Sequence, residues 1–456
     1  MEDGDPASPD SRKALLIAYY WPPAGGPGVQ RWLKFAKYLH EFGWNLTVIV
    51  PSDAAYPVLD ASLQAEVPDG IDVVHTPIFE PYEAIMGLVP SKPSERLGSG
   101  GGEDGLMSRI IRWIRGNVLL PDPRVLWRRR AVRKGLRTVQ NAASNGTPFD
   151  AIITTGPPHS VHLIGLALKR KTGLPWLADF RDLWREMDYL EDFLPTRRTR
   201  RRHQALEGEV VRNADTVTIT SPSVKDSLAI HLQPEELTKF HLVYNGYDDA
   251  DMTAPDNPTS AATESLPNTE TQGKTPFHLG HFGSLFPTRD APGLWTAIRM
   301  WNQGTGRRIH LDLVGKISPP VLESLHTQLE PEDWTDHGYL PHHDAVRMMA
   351  DMDGLLLIQN DTTTGQRAIP GKAFEYLGTG KPMATIAPLP SDLDALVTSW
   401  DCSTCGHRDA EAARHMLETL MGQHTDTTEL AQRYTRRALS ASMADILRKM
   451  TDSSTS

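Results

Sequence analysis

Two cysteines in 456 residues cannot build a disulfide framework and fit a reducing cytoplasm. Cys402 and Cys405 form a single CxxC with His407 nearby. A structural zinc needs four ligands and no second pair exists, so both read as ordinary thiols. Long hydrophobic runs are also missing: none approaches the roughly 20 residues that span a bilayer. Residues 1–12 are acidic and polar, the reverse of a secretory signal, and read as a disordered tail. The net charge of −10 excludes little, because the charge is unevenly spread. At 456 residues the chain is long enough for two full cores.

What is present is a recurring unit of short apolar strand, glycine turn and helix. Ala14 to Tyr20 reads as a buried strand and runs into WPPAGGPGVQRW. The helix that follows carries Val29, Trp32, Leu33, Ala36 and Leu39 at helical spacing and stops at Gly43. Leu46 to Val50 is the next strand, which makes a right-handed parallel unit of the doubly wound kind. Gly25, Gly26 and Gly28 permit close approach of a phosphate or sugar, or simply a tight turn; they do not form GxGxxG.

Residues 51–105 are harder to read: Ile71 to Thr76 suggests a strand and Leu97 to Gly105 a flexible loop. From Leu106 to Gln140 there are ten Arg or Lys against one acid, interleaved with Ile110, Ile111, Trp113, Ile114, Val118 and Trp127. Such a stretch suits an anionic membrane surface or an acidic lipid-linked substrate. A solvated helix face is the plainer reading, and nucleic acid fits least.

Asp150 to Thr155 reads as a strand ending in Gly156-Pro157-Pro158-His159, with a helix from about His159 to Lys171 and a strand from Pro175 to Asp179. Asp179, Arg181, Asp182 and Trp184 fall past the carboxyl end of that strand, where open α/β sheets bind ligands. His159 begins a helix directly after a strand, a stronger position for a site than that of His162 one turn later. Arg197 to Arg202 is a second basic run, read as solvated. Thr216 to Thr220 and Phe240 to Tyr244 are further strands, the second followed by Asn245-Gly246-Tyr247-Asp248.

Residues 249–276 hold almost no large apolar side chains and read as a linker or exposed insertion. A second α/β half starts at Leu279 to Gly283, continues through Ser284 to Arg289, and has a strand over Ile309 to Val314. Leu355 to Ile358 precedes a polar loop, and Ile369-Pro370-Gly371 opens a helix closed by Gly378-Thr379-Gly380 and Pro382. That helix start offers backbone N–H groups and Lys372 to an anion, with Glu375 on the same face for ribose hydroxyls. A Lys–Glu surface pair on an ordinary helix is the competing reading. The resulting layout is a tail over 1–12, an N-terminal Rossmann-like domain over 13–248 and the linker. A C-terminal Rossmann-like domain over 277–426 follows, then a helix over 427–450 that crosses back. Two similar halves place a ligand cleft between them.

YYWPPAGGPGVQRWLKFAKYL, PPHSVHLIGLALK with PWLADFRDLW, NGYD, HFGSLFPTRD and PGKAFEYLGTGKP occur in this order. Together they resemble the bacterial enzymes of glycosyltransferase family 4, over roughly residues 14 to 400. The resemblance implies the GT-B fold and retaining transfer of a sugar from a nucleotide-sugar donor. No bound metal or cofactor is implied beyond the donor as substrate. It assigns the donor to the C-terminal domain and a polysaccharide or lipid-linked acceptor to the N-terminal one, at the inner face of the plasma membrane. Glu375 matches the second acid of a paired-glutamate motif that holds the ribose. Arg289 and Lys372 would neutralise the diphosphate together with Gly283, Ser284, Pro370 and Gly371. Gly25 and Gly26 would approach it from the other domain, and His159 resembles a histidine facing the donor sugar. Asp179, Arg181 and Asp182 are left as acceptor or cleft residues. Asn245, Gly246 and Asp248 match a turn before the domain crossing. Two positions depart from the pattern: Arg367 stands where the first acid belongs, and Ser284 where an arginine is usual. They leave open a catalytically silent sugar-nucleotide-binding partner, and a GT-B nucleotide-sugar epimerase is a third reading.

Overall fold

The structure, a computed structural model, describes residues 11–80, 106–252, 275–304, 306–422 and 427–454. The loop expected over Leu97 to Gly105, most of the N-terminal tail and residues 253–274 of the expected linker lie outside these. The chain divides into two compact units, residues 1–244 with 437–456 and residues 245–436.

Among the described residues the first unit holds a seven-stranded sheet. Its strands are β1 (Arg12–Ile17), β2 (Trp44–Ser52), β3 (Asp72–Pro77), β4 (Ala151–Gly156), β5 (Trp176–Phe180), β6 (Thr216–Ile219) and β7 (Phe240–Leu242). They lie in the order β3-β2-β1-β4-β5-β6-β7, all neighbours parallel. Parallel strands need crossovers, and the helices that supply them cover both faces, so the central strands β4, β5 and β6 are buried along their whole length. In β1 the two-residue period sends Leu15 and Ile17 to one core, with Trp127, Ile164 and Trp176. Ala14 and Leu16 go to the other, with Trp32 and Phe35 of the helix Pro27–Leu39. That second core also takes Leu439, Met443, Ala444, Leu447 and Met450. They belong to the terminal helix Arg436–Ser454, separated by Arg433–Thr435 from a short helix Thr428–Gln432. The single helix expected over 427–450 is therefore two.

The second unit carries β8 (Phe277–Phe282), β9 (Ile309–Val314), β10 (Trp334–Asp336), β11 (Gly354–Ile358), β12 (Met383–Ile386) and β13 (Ser403–Cys405). Their order is β10-β9-β8-β11-β12-β13, again parallel. Asn245 to Asp248, expected at the end of the N-terminal domain, group with this unit. The reason is local: Tyr247 is buried against Gly378, its N–H donates to Tyr434 O at 3.1 Å, and Arg436 N–H donates to Tyr247 O at 2.7 Å.

In each sheet the strand order reverses at one point, between β1 and β4 and between β8 and β11. Chain leaving the carboxyl ends there diverges to opposite faces and opens a crevice, the usual ligand position in such sheets.

Candidate active-site elements in the two units

At the first switch point, chain from β1 runs through Tyr19 to Gly28 into the helix Pro27–Leu39. Gly26 has φ 86° and ψ 178°, a conformation that side chains resist, and it caps that helix. Gly25 N–H donates to Val58 O at 2.9 Å, and a methyl at Gly25 would lie 3.0 Å from Asp60 Cβ, so the loop sits tight against residues 58–60.

Arg181 ties this loop to its neighbour. Its guanidinium donates to Gly28 O, to Gly156 O at 3.2 Å and to Pro157 O at 2.7 Å. Asp179 is fully buried. It accepts from Arg31 Nη2 (2.9 Å), Trp32 Nε1 (2.7 Å), Thr155 Oγ1 (2.9 Å) and Thr218 Oγ1 (2.8 Å). Burial alone would raise its pKa, but Arg31 and these donors hold it below the usual carboxylate range. Asp179 and Arg181 thus act as tie points: Asp179 accepts from four buried side chains, and Arg181 donates to three backbone carbonyls. Asp182 is pushed up by burial, against the pull of Arg181.

His159 caps the helix Ser160–Thr172 and stacks on Trp184, with ring centroids 4.8 Å apart and planes 9° apart. Its Nε2 donates to Leu183 O at 3.1 Å, leaving Nδ1 as an unpartnered acceptor. Burial pushes its pKa down to about 3, so the ring is neutral. His162 pairs through Nδ1 with Thr154 Oγ1 at 2.9 Å, and its Nε2 is likewise unpartnered. A methyl on Gly156 would meet His162 Nε2 at 2.6 Å and His159 Nδ1 at 3.2 Å, so glycine is required where the two rings converge.

Sequence reading missed Asp122, whose carboxylate accepts from Ser160 N–H and Ser160 Oγ, both at 2.8 Å. The start of that helix is thereby already satisfied by an anion. It also missed a cluster at the end of β1, where Tyr19 O–H donates to Glu80 Oε1 at 2.8 Å and Arg124 lies 3.2 Å from the same oxygen. Tyr20 and Tyr56 pack edge-on or tilted around Tyr19. No local motif marks residues so far apart in sequence; the DP of Asp122-Pro123, a turn and cap signal, was the one available clue.

At the second switch point the residues after β8 meet those after β11. Arg289 Nε donates to Asn360 Oδ1 at 2.8 Å and Nη1 to Ser284 O at 3.0 Å, beside Gly283. Burial lowers its pKa without threatening its charge. The hydroxyl oxygen of Tyr376 accepts from Phe282 N–H at 2.9 Å, fixing the helix Lys372–Thr379 against the end of β8. Lys372 Nζ lies 2.5 Å from Glu375 Oε2, the pair expected from their spacing. The amides of Ala373, Phe374 and Glu375 already bond back to Pro370 O or Gly371 O. The open row of N–H groups expected at this helix start is to that extent closed by its own tight turn. Gly371 has ordinary helical angles, and a methyl there would touch nothing within 4 Å, so folding does not demand a glycine. Asn360 was missed, because only the fold sets it beside Arg289.

Cys402 and Cys405 are both free, and among the described residues no group of three or more His, Cys, Asp or Glu could hold a metal ion. No helix among those residues is long and apolar enough to cross a membrane.

Residues 25–246 match the family model of the glycosyl transferase 4-like domain. No curated protein matches the sequence. Among solved structures the chain is similar to HepE of Anabaena in complex with UDP and glucose, at 15% identity and a TM-score of 0.55, covering 96% of this chain and 100% of that one. Sucrose-phosphate synthase of Thermosynechococcus elongatus is similar at 13% identity and a TM-score of 0.56, over 97% and 100%. A putative UDP-N-acetylglucosamine 2-epimerase of Listeria monocytogenes has 13% identity and a TM-score of 0.50, over 95% and 94%. At such identities the likeness is one of fold. With one doubly wound parallel sheet in each unit, the chain has the GT-B fold, and its residues 25–246 match the glycosyl transferase 4-like domain.

Proposed function

We propose that the protein is a metal-independent retaining glycosyltransferase. It would move a sugar, of the hexosyl type, from a nucleotide-sugar donor to a polysaccharide or lipid-linked acceptor. The observation that carries this reading is the second switch point, where Arg289 donates to Ser284 O beside Gly283 and the charge of Lys372 is felt at His281 beneath the same turn. Two fixed cations at a strand end stabilise a diphosphate as it leaves with growing charge. Glu375 holds the ribose hydroxyls with one oxygen while the other keeps Lys372. Pro370 and Gly371 leave the approach to that carboxylate open. Neutral His159 and the turn of Gly25 and Gly26 are the residues the first unit would contribute to sugar transfer. The acceptor hydroxyl loses its proton to the leaving phosphate, so no side chain has to act as base. Asp182 remains the acceptor-side residue of its cluster, with Asp179 and Arg181 holding the loops around it.

Residues 106–140 are the proposed contact with an anionic membrane at the cytoplasmic face. In the helix Leu106–Asn117, Gly116 packs so closely on Phe193 that a methyl would lie 2.3 Å from its carbonyl oxygen. Ile110, Trp113 and Ile114 remain about two-fifths exposed, beside Arg109, Arg112 and Arg115. Apolar side chains rimmed by arginine favour an anionic bilayer surface.

Release of nucleotide from UDP-, GDP-, ADP- and dTDP-sugars, with and without membrane lipid and without added metal, tests the reading. Turnover of one donor, abolished by Glu375→Ala, is the expected result. Tight binding without release in any condition would favour the silent partner, with Arg367 as the residue to revert to glutamate.

A further inference from the structure

His281, in β8, stands directly under the Gly283 turn and has no part in the reading above. Its side chain is 2% exposed. Nδ1 donates to Leu356 O at 2.9 Å, which makes Nε2 the basic nitrogen of the neutral ring. Nε2 is buried with no partner at full hydrogen-bond geometry, and it faces the Gly283 backbone closely enough for that backbone to favour a proton there. A methyl on Gly283 would lie 3.4 Å from Nε2 and 3.9 Å from Arg289 Nη1, so the missing side chain leaves a notch with both nitrogens at its floor.

The groups facing this imidazole are of one sign. Burial is the main reason its pKa is held down to about 4, and the charges of Arg289 and Lys372 push it the same way. The carbonyl of Leu356 and the Gly283 backbone oppose them more weakly. A diphosphate at the Gly283 turn would reverse the balance, setting two negative charges against two cations and giving Nε2–H a charged acceptor.

We propose that binding of the diphosphate of a nucleotide sugar at the Gly283 turn is coupled to uptake of a proton from solvent at His281 Nε2, so that the imidazolium becomes a third cation of the site. This rests on the reading of unit two as the donor site. The proton joins Nε2 as the ligand arrives and returns to solvent when the nucleotide leaves; no covalent bond changes. Placing the third charge on a titratable ring lets the empty site avoid burying three cations together.

The test is calorimetric titration of the full chain with UDP-glucose, GDP-mannose and ADP-glucose, whose diphosphate diesters do not themselves titrate near neutrality. Runs in PIPES, MOPS and imidazole buffers give the protons taken up from the slope of apparent enthalpy against buffer ionisation enthalpy. We expect uptake of up to about one proton at about pH 6, less at about pH 8. His281→Asn should still bind, roughly tenfold more weakly at the lower pH, with no uptake. Gly283→Ala, which fills the notch but leaves the Leu356 hydrogen bond intact, should also lose the uptake. Equal slopes in wild type and both variants would overturn the proposal while leaving the donor site standing. Failure of every nucleotide sugar to bind folded wild-type protein would remove the donor-site reading and the proposal together.

Discussion

Single residues in the first unit show how much of this site is scaffold. Asp179 and Arg31 are a fully buried ion pair beneath the loops. Asp179→Asn should therefore cost about 3–5 kcal/mol of unfolding free energy, measured by urea titration, because Arg31 keeps a buried charge. Gly26→Ala asks a side chain to adopt φ 86° at ψ 178° and should lower stability by about 1–3 kcal/mol. Arg181 differs from both: its guanidinium joins the carbonyls of Gly28, Gly156 and Pro157 across two loops. The glycines and His159 after Gly156-Pro157-Pro158 were legible from the sequence, since loop chemistry is local. That Asp179 would turn inward was not, since its partners arrive from three other elements.

Among elements, β8, β9 and the end of β10 share a titratable patch outside the proposed site. Asp312 accepts from His278 Nδ1 and His337 Nε2, both at 2.8 Å. The hydrogen bond to Asp312 raises the pKa of His278. Its contribution to stability is therefore present below the unfolded histidine value and is lost as pH rises through the raised one. Burial would raise Asp312, but the His278 and His337 donors hold it low. Its contribution is present above the unfolded carboxylate value and is lost as pH falls through the lowered one. Thermal unfolding should thus show its best stability from this patch between about pH 4 and about pH 6.5, and His278→Gln should flatten the alkaline fall. The helix Arg436–Ser454 is the other telling element. Leu447 is fully buried in the core that also holds Ala14 and Leu16 of β1, so Leu447→Ala should cost about 2–5 kcal/mol by the same urea titration.

For the whole molecule, the basic, apolar-faced stretch after Leu106 predicts association with vesicles that carry anionic lipid. Flotation with phosphatidylglycerol vesicles should recover the wild type and lose Trp113→Asp, with binding weakened by salt as counterions screen the arginines. Retention of the variant at wild-type levels would assign the exposed Ile110, Trp113 and Ile114 to another contact.

The sequence by itself determined the repeated strand, turn and helix plan, the parallel sheets, and the glycine and cation positions at strand ends. Those depend on periodicity and on backbone chemistry within a few residues. Tertiary structure alone decided which charges are tools and which are ties, and gave Asn245 to Asp248 to the second unit. It also split the terminal helix and set Asn360 beside Arg289. It placed His281 under a turn whose glycine leaves its free nitrogen uncovered. Burial and partners come from contacts between elements distant in sequence, and no local pattern encodes them.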